Sequence, residues 1–505
     1  MAINSDRMVF VIGIFFSIIL PRLFMLGSYP FLDEGFYLYE SQLIWQQIAL
    51  YGKLPDFGGF WLYPLLVSPI FSIQCNVFIL VRLIDLIFAS VMGYIFIKIM
   101  IRESDSTKIG ILLGSLSLFC MNLPDIIQGG FKNSFFIAYI PLLYAFYHVQ
   151  CKKTNVNYFV IGCLVALSVL LRETFIIYAL IGFIVLFFFK NYKDGLFYCA
   201  GGILTFIVVF AIIGYYREGY VKLIQSYISA GAIFSAEANR IWYNFFHYGQ
   251  KAILYFGPVI LTMFISAFYI IRHGNRNDLL KLIFWVAVSL LSIAEVIFKI
   301  GYLYHFSMLI PCFCAISSLG FKIICKNKKF VLSGLKRFIV ILFIAMYSFH
   351  FSISQINMTV DMLRSFPKLY WGEDYIEESN PLLTVKSINQ FSESGGTLAV
   401  NGFMYVLYPL TGMLSPIAEI SDLSRCYILN SMSNDKLKDI IRTDPPNIIV
   451  IFETKEKDHV AMFTDELNKV VENLHIYDYV GSVPIDENKN YGWLGCKIYK
   501  KNESK

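Results

Sequence analysis

A polytopic α-helical membrane protein with an α/β domain at its C-terminal end is the fold class this sequence predicts, and three observations predict it. Of 505 residues, 57% are hydrophobic and only 15% charged, against roughly 25% charged in a soluble domain. Apolar runs long enough to span a bilayer, roughly 17–25 residues each, recur along residues 1–356, and the mean hydropathy is +0.60. After about residue 357 the chain turns polar and carries short β-rich runs separated by helical patterns.

The apolar runs fall at 8–27, 77–101, 107–123, 134–150, 158–171, 174–190, 196–216, 251–271, 279–298, 303–321 and 338–356, which gives about eleven spans. The N-terminus MAINSDRMVF has little basic character and no small-residue cleavage site follows the first run, so it reads as a retained signal anchor. The stretch 158–190 is broken by Arg172 and Glu173. A charged pair at mid-bilayer is expensive, which places it at a surface between two short helices.

Basic residues collect in alternate loops: Arg102 and Lys108; Lys152 and Lys153; Lys190 and Lys193; Arg272, Arg276 and Lys281; and the group from Lys322 to Arg337. The positive-inside rule then puts the N-terminus in the cytoplasm. An odd number of spans puts the tail outside, which in a bacterial inner membrane is the periplasm. On that outer side lie a loop over 28–62, a Pro-led surface helix over 64–73, and an aromatic, amphipathic loop over 217–250. The expected division is therefore a membrane domain over 1–356 and an exported α/β domain over 357–505. Within the latter, strands are expected at 396–402, 447–453, 477–483 and 493–500, with helices at 434–442 and 461–474.

The net charge of +6 is carried largely by short loops, as topology requires, and gives no nucleic-acid signal. No P-loop and no GxGxxG following a strand is found. The cysteines form no metal pattern; Cys312 and Cys314 are one residue apart within an apolar run and read as packing residues. Cys426 and Cys496 are the two cysteines of the tail, and either a disulfide or two buried thiols fits them.

Chemistry is sought first in YPFLDEGFYLYE, Tyr29 to Glu40, where Asp33 and Glu34 follow the first span in an aromatic setting. Partial desolvation of an acid at a membrane surface raises its pKa toward that of a usable base. Other polar groups are expected on the same side: Asp125 and Lys132 between the third and fourth spans, Arg82, Arg172, Glu173, Arg240, Lys299 and His305. Together they would make an outward cavity with acids for a hydroxyl and cations for a phosphate.

In the order of its parts, the chain resembles the glycosyltransferase C superfamily, the integral enzymes that move sugars from polyprenyl-phosphate carriers. The resemblance rests on the Asp33–Glu34 pair after a first span, the G-x-x-P of Gly52 to Pro55, the Pro-led surface helix, and Arg82 at the second span. It also rests on KIGYLYHFSMLIP (299–311) and on the Asp444 to Ile451 run DPPNIIVI. The resemblance implies an inverting transferase moving a hexose, glucose by its similarity to serotype-converting O-antigen glucosyltransferases of enterobacterial phages, to a periplasmic acceptor such as the O-antigen repeat of lipopolysaccharide. It implies Asp33 as general base, Glu34 as an orienting or cation-binding group, and Asp125 as the second acid. Lys299, Tyr304, His305, Arg172 and Arg82 would meet the donor phosphate, and Arg240 and Lys132 the acceptor side. The donor would be an undecaprenyl-phosphate-linked sugar, with a carrier-charging sugar transferase and a flippase as functional partners. Any divalent cation would fall to Glu34 or Asp125. The sequence departs from relatives that transfer aminoarabinose, with Phe36 and Tyr63-Pro64 where those have an Arg and a Lys-Pro. The rival readings are a lipid A- or protein-modifying transferase and, from another class, a lipid-linked saccharide flippase. A flippase should show paired half-repeats and mid-membrane charges.

Overall fold

The computed structural model describes residues 5–26, 32–51, 62–73, 76–127, 135–151, 157–189, 191–216, 238–298, 303–327, 329–351, 380–392, 396–401, 404–416, 434–454, 464–483 and 493–502, with single positions 360 and 423. Over 1–356 the described chain is helical. The helices are α1 (Asp6–Leu26), α2 (Leu32–Tyr51), α3 (Leu62–Ser72), α4 (Val77–Ser104), α5 (Thr107–Met121), α6 (Pro124–Ile127), α7 (Phe135–Cys151) and α8 (Tyr158–Leu171). They continue as α9 (Ile176–Phe189), α10 (Tyr192–Tyr216), α11 (Ala238–His273), α12 (Arg276–Phe298), α13 (Ile310–Asn327) and α14 (Lys329–His350).

Five helical stretches among the described residues are long and apolar enough to cross a membrane: Asp6–Leu26, Val77–Ser104, Tyr192–Ile212, Phe245–His273 and Leu303–Cys325. Eleven spans were expected, and each expected run carries helix, but several are short. The shortness has a packing reason in α5, which is buried almost without break from Ile109 to Met121. A helix enclosed by its neighbours need not match the bilayer thickness. The outer helices have the opposite character. Ile203, Ile207, Leu254, Phe264, Ile283, Leu290, Ile341 and Ile344 are all exposed, as a lipid-facing surface requires.

Local chemistry sets the turns. Asn76 caps α4 by accepting from Phe78 N and Ile79 N (3.1 and 3.3 Å), and Ser106 caps α5. Only Asp105, in the left-handed region, and Ser106 separate these two helices. The pair α8 and α10 approaches closely at Gly162 and Gly201, where an added Cβ would lie 2.0 Å from a carbonyl oxygen of the other helix. The break at 172–175 is a 3-10 turn, Glu173–Phe175, between α8 and α9. Arg172 is buried there among its neighbours. The loop expected over 217–250 is helical where it is described, over 238–250. Residues 238–250 are the first turns of the long helix α11, because their aromatic periodicity runs on into the apolar segment.

The C-terminal region folds as helix α15 (Asn380–Phe391), strand β1 (Leu398–Val400), helices α16 (Leu407–Thr411) and α17 (Asn434–Thr443), β2 (Ile448–Thr454), α18 (Thr464–Leu474), β3 (Tyr477–Val483) and β4 (Trp493–Lys501). The sheet order is β1-β2-β4-β3. β1 and β2 are parallel; β4 runs antiparallel to both β2 and β3. Asn401 extends the ladder past β1 with its side chain, accepting from Phe452 N (2.6 Å) and donating to its carbonyl (3.2 Å).

Strand alternation gives the sheet two apolar faces. Ala399, Ile449, Ile451 and Tyr499 pack with Leu437 and Ile441 of α17 and Leu467, Val470 and Val471 of α18. Leu398, Val400, Ile448, Val450, Phe452 and Ile498 belong instead to one continuous apolar core. That core runs through α15, α16 and α2 into the membrane helices. Cys496 is buried on β4, and Cys426 lies outside the described residues.

Candidate functional site

The site is built where the end of α1, the start of α2, α3 and the first half of α4 meet. Arg82 and Asp85 are three residues apart on α4 and so share a face. Arg82 donates from Nε to Glu34 Oε1 and from Nη2 to Glu34 Oε2, both at 2.7 Å. The pair is fully buried, with side chains 4% and 0% exposed. Nη1 of Arg82 donates to Leu26 O at 2.8 Å, satisfying a carbonyl at the end of α1.

One helical turn along, Asp85 accepts from Nη1 of Arg22, a residue of α1. Nε of Arg22 donates to Asn122 Oδ1 at 2.6 Å, and its guanidinium lies 4.3 Å from the centre of the Phe136 ring. Asn122 in turn donates to Leu118 O at 2.7 Å. Two cations and two carboxylates are thus buried as neighbouring pairs, the arrangement in which burial of charge is tolerated. Tyr63 of α3 is buried beside them. Burial, with the nearby Asp85 charge adding to it, pushes its phenol well above its ordinary range, so it is a proton donor here.

The Arg22–Asn122 contact fixes the segment that leads into α6, where Asp125 sits. Asp125 is exposed and accepts a hydrogen bond from the Tyr255 hydroxyl of α11. The Tyr255 ring lies 4.5 Å from the ring of His350 at the end of α14. α6 also packs against the 3-10 turn Leu303–Leu309, which carries Tyr304 and His305. His305 is buried and Tyr304 half-buried. Tyr139 ties that turn to the α8–α9 break: its hydroxyl lies 3.1 Å from Met308 Sδ, and its ring 4.8 Å from Phe175. Arg172 is buried at that break, its backbone N donating to Ser168 O at 2.9 Å.

Of the residues singled out in the sequence, Glu34, Arg82, Asp125, Arg172, Tyr304 and His305 are therefore linked through one run of contacts. Asp33 lies in the first turn of α2, and Arg240 in the first turn of α11. The side chains of Asp33, Glu173 and Arg240 are outside the described residues, as are Lys132 and Lys299 altogether. Asp33 and Glu34 are helical rather than in an open loop, and Glu34 is enclosed rather than solvated. Both Glu34 oxygens are on Arg82, which leaves Asp125 as the described carboxylate open to a cation. Among the described residues no group of three His, Cys, Asp or Glu gathers as a metal site. Arg22, Asp85, Asn122, Tyr255 and His350 were not singled out. For Arg22 and Asp85 the signal was present, since a charge inside an apolar span is expensive and demands a partner.

No family model matches the chain, and no curated protein matches it. Solved structures are similar to it at low identity, among them the following. The crystal structure of the Archaeoglobus fulgidus oligosaccharyltransferase in the apo form is 11% identical at a TM-score of 0.44, covering 97% of this chain and 74% of that one. The same organism's archaeal oligosaccharyltransferase AglB, in complex with an inhibitory peptide and a dolichol-phosphate, is 12% identical at 0.47, covering 88% and 69%. The Archaeoglobus fulgidus oligosaccharyltransferase complex with Zn and sulfate is 13% identical at 0.46, covering 96% and 73%.

Proposed function

We propose that this chain is a membrane glycosyltransferase that moves a hexose, with inversion, from a polyprenyl-phosphate carrier to a hydroxyl of an acceptor glycan on the outer face of a bacterial inner membrane. The observation that carries the reading is a buried polar chain that links carboxylate-bearing segments from two distant parts of the chain, α2 and α6, on an apolar helical body. They are joined through Arg82, which holds Glu34, and through Arg22, which bridges Asp85 on the same helix to Asn122. Such a place suits a donor whose tail lies in lipid and whose sugar lies at head-group level.

The acceptor oxygen attacks the anomeric carbon while the bond from that carbon to the phosphate oxygen breaks. The acceptor proton passes to Asp33 as base, and the phosphate leaves as an anion. Glu34, held by Arg82, orients the start of α2. Asp125, with Tyr255 on it, contributes the second acid. The imidazole of His305, with Tyr304, Arg172 and Lys299, would face the leaving phosphate. A phosphate is a good enough leaving group for no nucleotide to be needed at this step.

The test is transfer by purified protein from a radiolabelled polyprenyl-phosphate hexose. Asp33→Asn keeps the shape but loses the basic lone pair, and transfer should fall by roughly 10²–10⁴-fold. Near wild-type transfer by Asp33→Asn would remove the base from this position. Turnover of a nucleotide sugar by carrier-free protein would overturn the donor class.

A further inference from the structure

Helix α2 is held from two sides. On the membrane side Arg82 grips Glu34. The next residue, Gly35, faces the C-terminal unit so closely that a Cβ built on it would lie 2.4 Å from Val406 N and 2.6 Å from Val406 Cα. These are backbone atoms, which cannot swing aside as a flexible side chain can. One turn further on, Tyr39 is buried with its ring stacked on Tyr408, centroids 4.0 Å apart at 20°. Its hydroxyl accepts from Ser415 N at 3.1 Å. Phe36 meets Tyr405 edge-on at 5.0 Å, and Gln42 Nε2 donates to Met413 O at 3.4 Å. Positions 35, 39 and 42 recur at helical spacing, so one stripe of α2 rests on the segment Met404–Ser415 along two turns.

We propose that Gly35 and Tyr39 are positioning residues, through which the segment Met404–Ser415 of the C-terminal unit sets the place of Asp33, so that this unit is an obligatory part of the site. The proposal rests on the transferase reading above for what is positioned. The contact itself stands on the packing alone. A lone tail tethered by a linker needs no glycine at its point of contact. Here the helix approaches the tail's backbone at the residue directly after the acid pair, where a shift of one ångström is felt at the reacting atoms.

Two experiments test it. In the full chain, Gly35→Ala should lower kcat by about 10²-fold, the scale of a one-ångström misplacement, with KM for the lipid donor little changed. Tyr39→Phe keeps the stack and should retain most of the activity, while Tyr39→Ala should not. The same activity in Gly35→Ala as in wild type would overturn the proposal, as would loss of activity in Tyr39→Phe equal to that in Tyr39→Ala. Because Gly35→Ala could fail to fold, the second experiment leaves these positions native. Gln42→Cys with Met413→Cys is treated with a short bifunctional thiol reagent, and mass spectrometry reads the peptide joining positions 42 and 413. The expected result is efficient joining, with transfer retained in the joined protein. No joining in folded protein would overturn the contact, and joining that abolishes transfer would overturn the fixed placement. The joining is read without any transfer assay, so its failure is separable from failure of the Asp33→Asn test.

Discussion

Two of the carboxylates whose side chains are seen in the site, Glu34 and Asp125, live under opposite conditions. Glu34 is enclosed, and both of its oxygens are taken by one guanidinium. Asp125 is exposed and carries a single phenol. A buried, doubly bonded carboxylate is costly to disturb and has no lone pair aimed at a substrate; an exposed one is cheap to disturb and free to act. The difference teaches that burial and chemistry are divided between neighbouring acids. Glu34 fixes architecture, which leaves Asp33 and Asp125 as the acids proposed to meet substrate.

The largest effect should come from splitting the buried pair. Arg82→Met leaves Glu34 charged and without its guanidinium, at a cost of about 3–5 kcal/mol. This should appear as a fall in the thermal unfolding temperature of the detergent-solubilised protein. Replacing both partners, Glu34→Gln with Arg82→Met, should recover much of that loss. Equal stability of single and double variants would break the comparison at its buried end. Asp125→Asn should behave in the reverse way, leaving the unfolding temperature near wild type while lowering transfer by roughly 10²-fold, the lower range for a removed acid or base. Tyr255→Phe, which removes only the hydroxyl on Asp125, should have a smaller effect in the same assay. An unchanged rate for Asp125→Asn would make it a plain loop acid. The smallest effect belongs to the pair Lys438–Asp435 on α17, at 3.4 Å, with Asp435 exposed and Lys438 half-buried. Lys438→Ala should change stability by less than about 1 kcal/mol and leave transfer untouched.

Much of this was legible because it depends on local chemistry. The run NIIVIFE alternates between two apolar faces and could hardly be anything but a central strand, which it is as β2. Arg172 and Glu173 broke an apolar stretch where the structure breaks it. Asp33 and Glu34 stood out as adjacent acids after a span. What could not be read was pairing across distance. Arg82 lies 48 residues from Glu34, and Arg22 lies 63 from Asp85, so nothing local distinguishes a cation awaiting a phosphate from one already matched to a carboxylate. Tyr255 and His350 were hidden for another reason, since aromatics and a histidine in apolar helices are ordinary packing until a third chain segment brings an acid to them. The seat of Gly35 on Val406 was equally invisible, because a glycine after an acid pair reads as a turn.

The contact between α2 and the tail also sets a clock. Ser415 is 376 residues beyond Tyr39, and Met413 is 371 beyond Gln42. At a synthesis rate of 5–20 residues per second, α2 must wait roughly 20–75 s for the surface that buries Tyr39. During that interval its stripe of glycine and tyrosine is an open apolar face. The site is therefore completed long after its acids are made, and only once the segment Met404–Ser415 has been added. A nascent chain stalled before residue 404 should leave Tyr39 open to chemical labelling, and one extended past residue 415 should protect it.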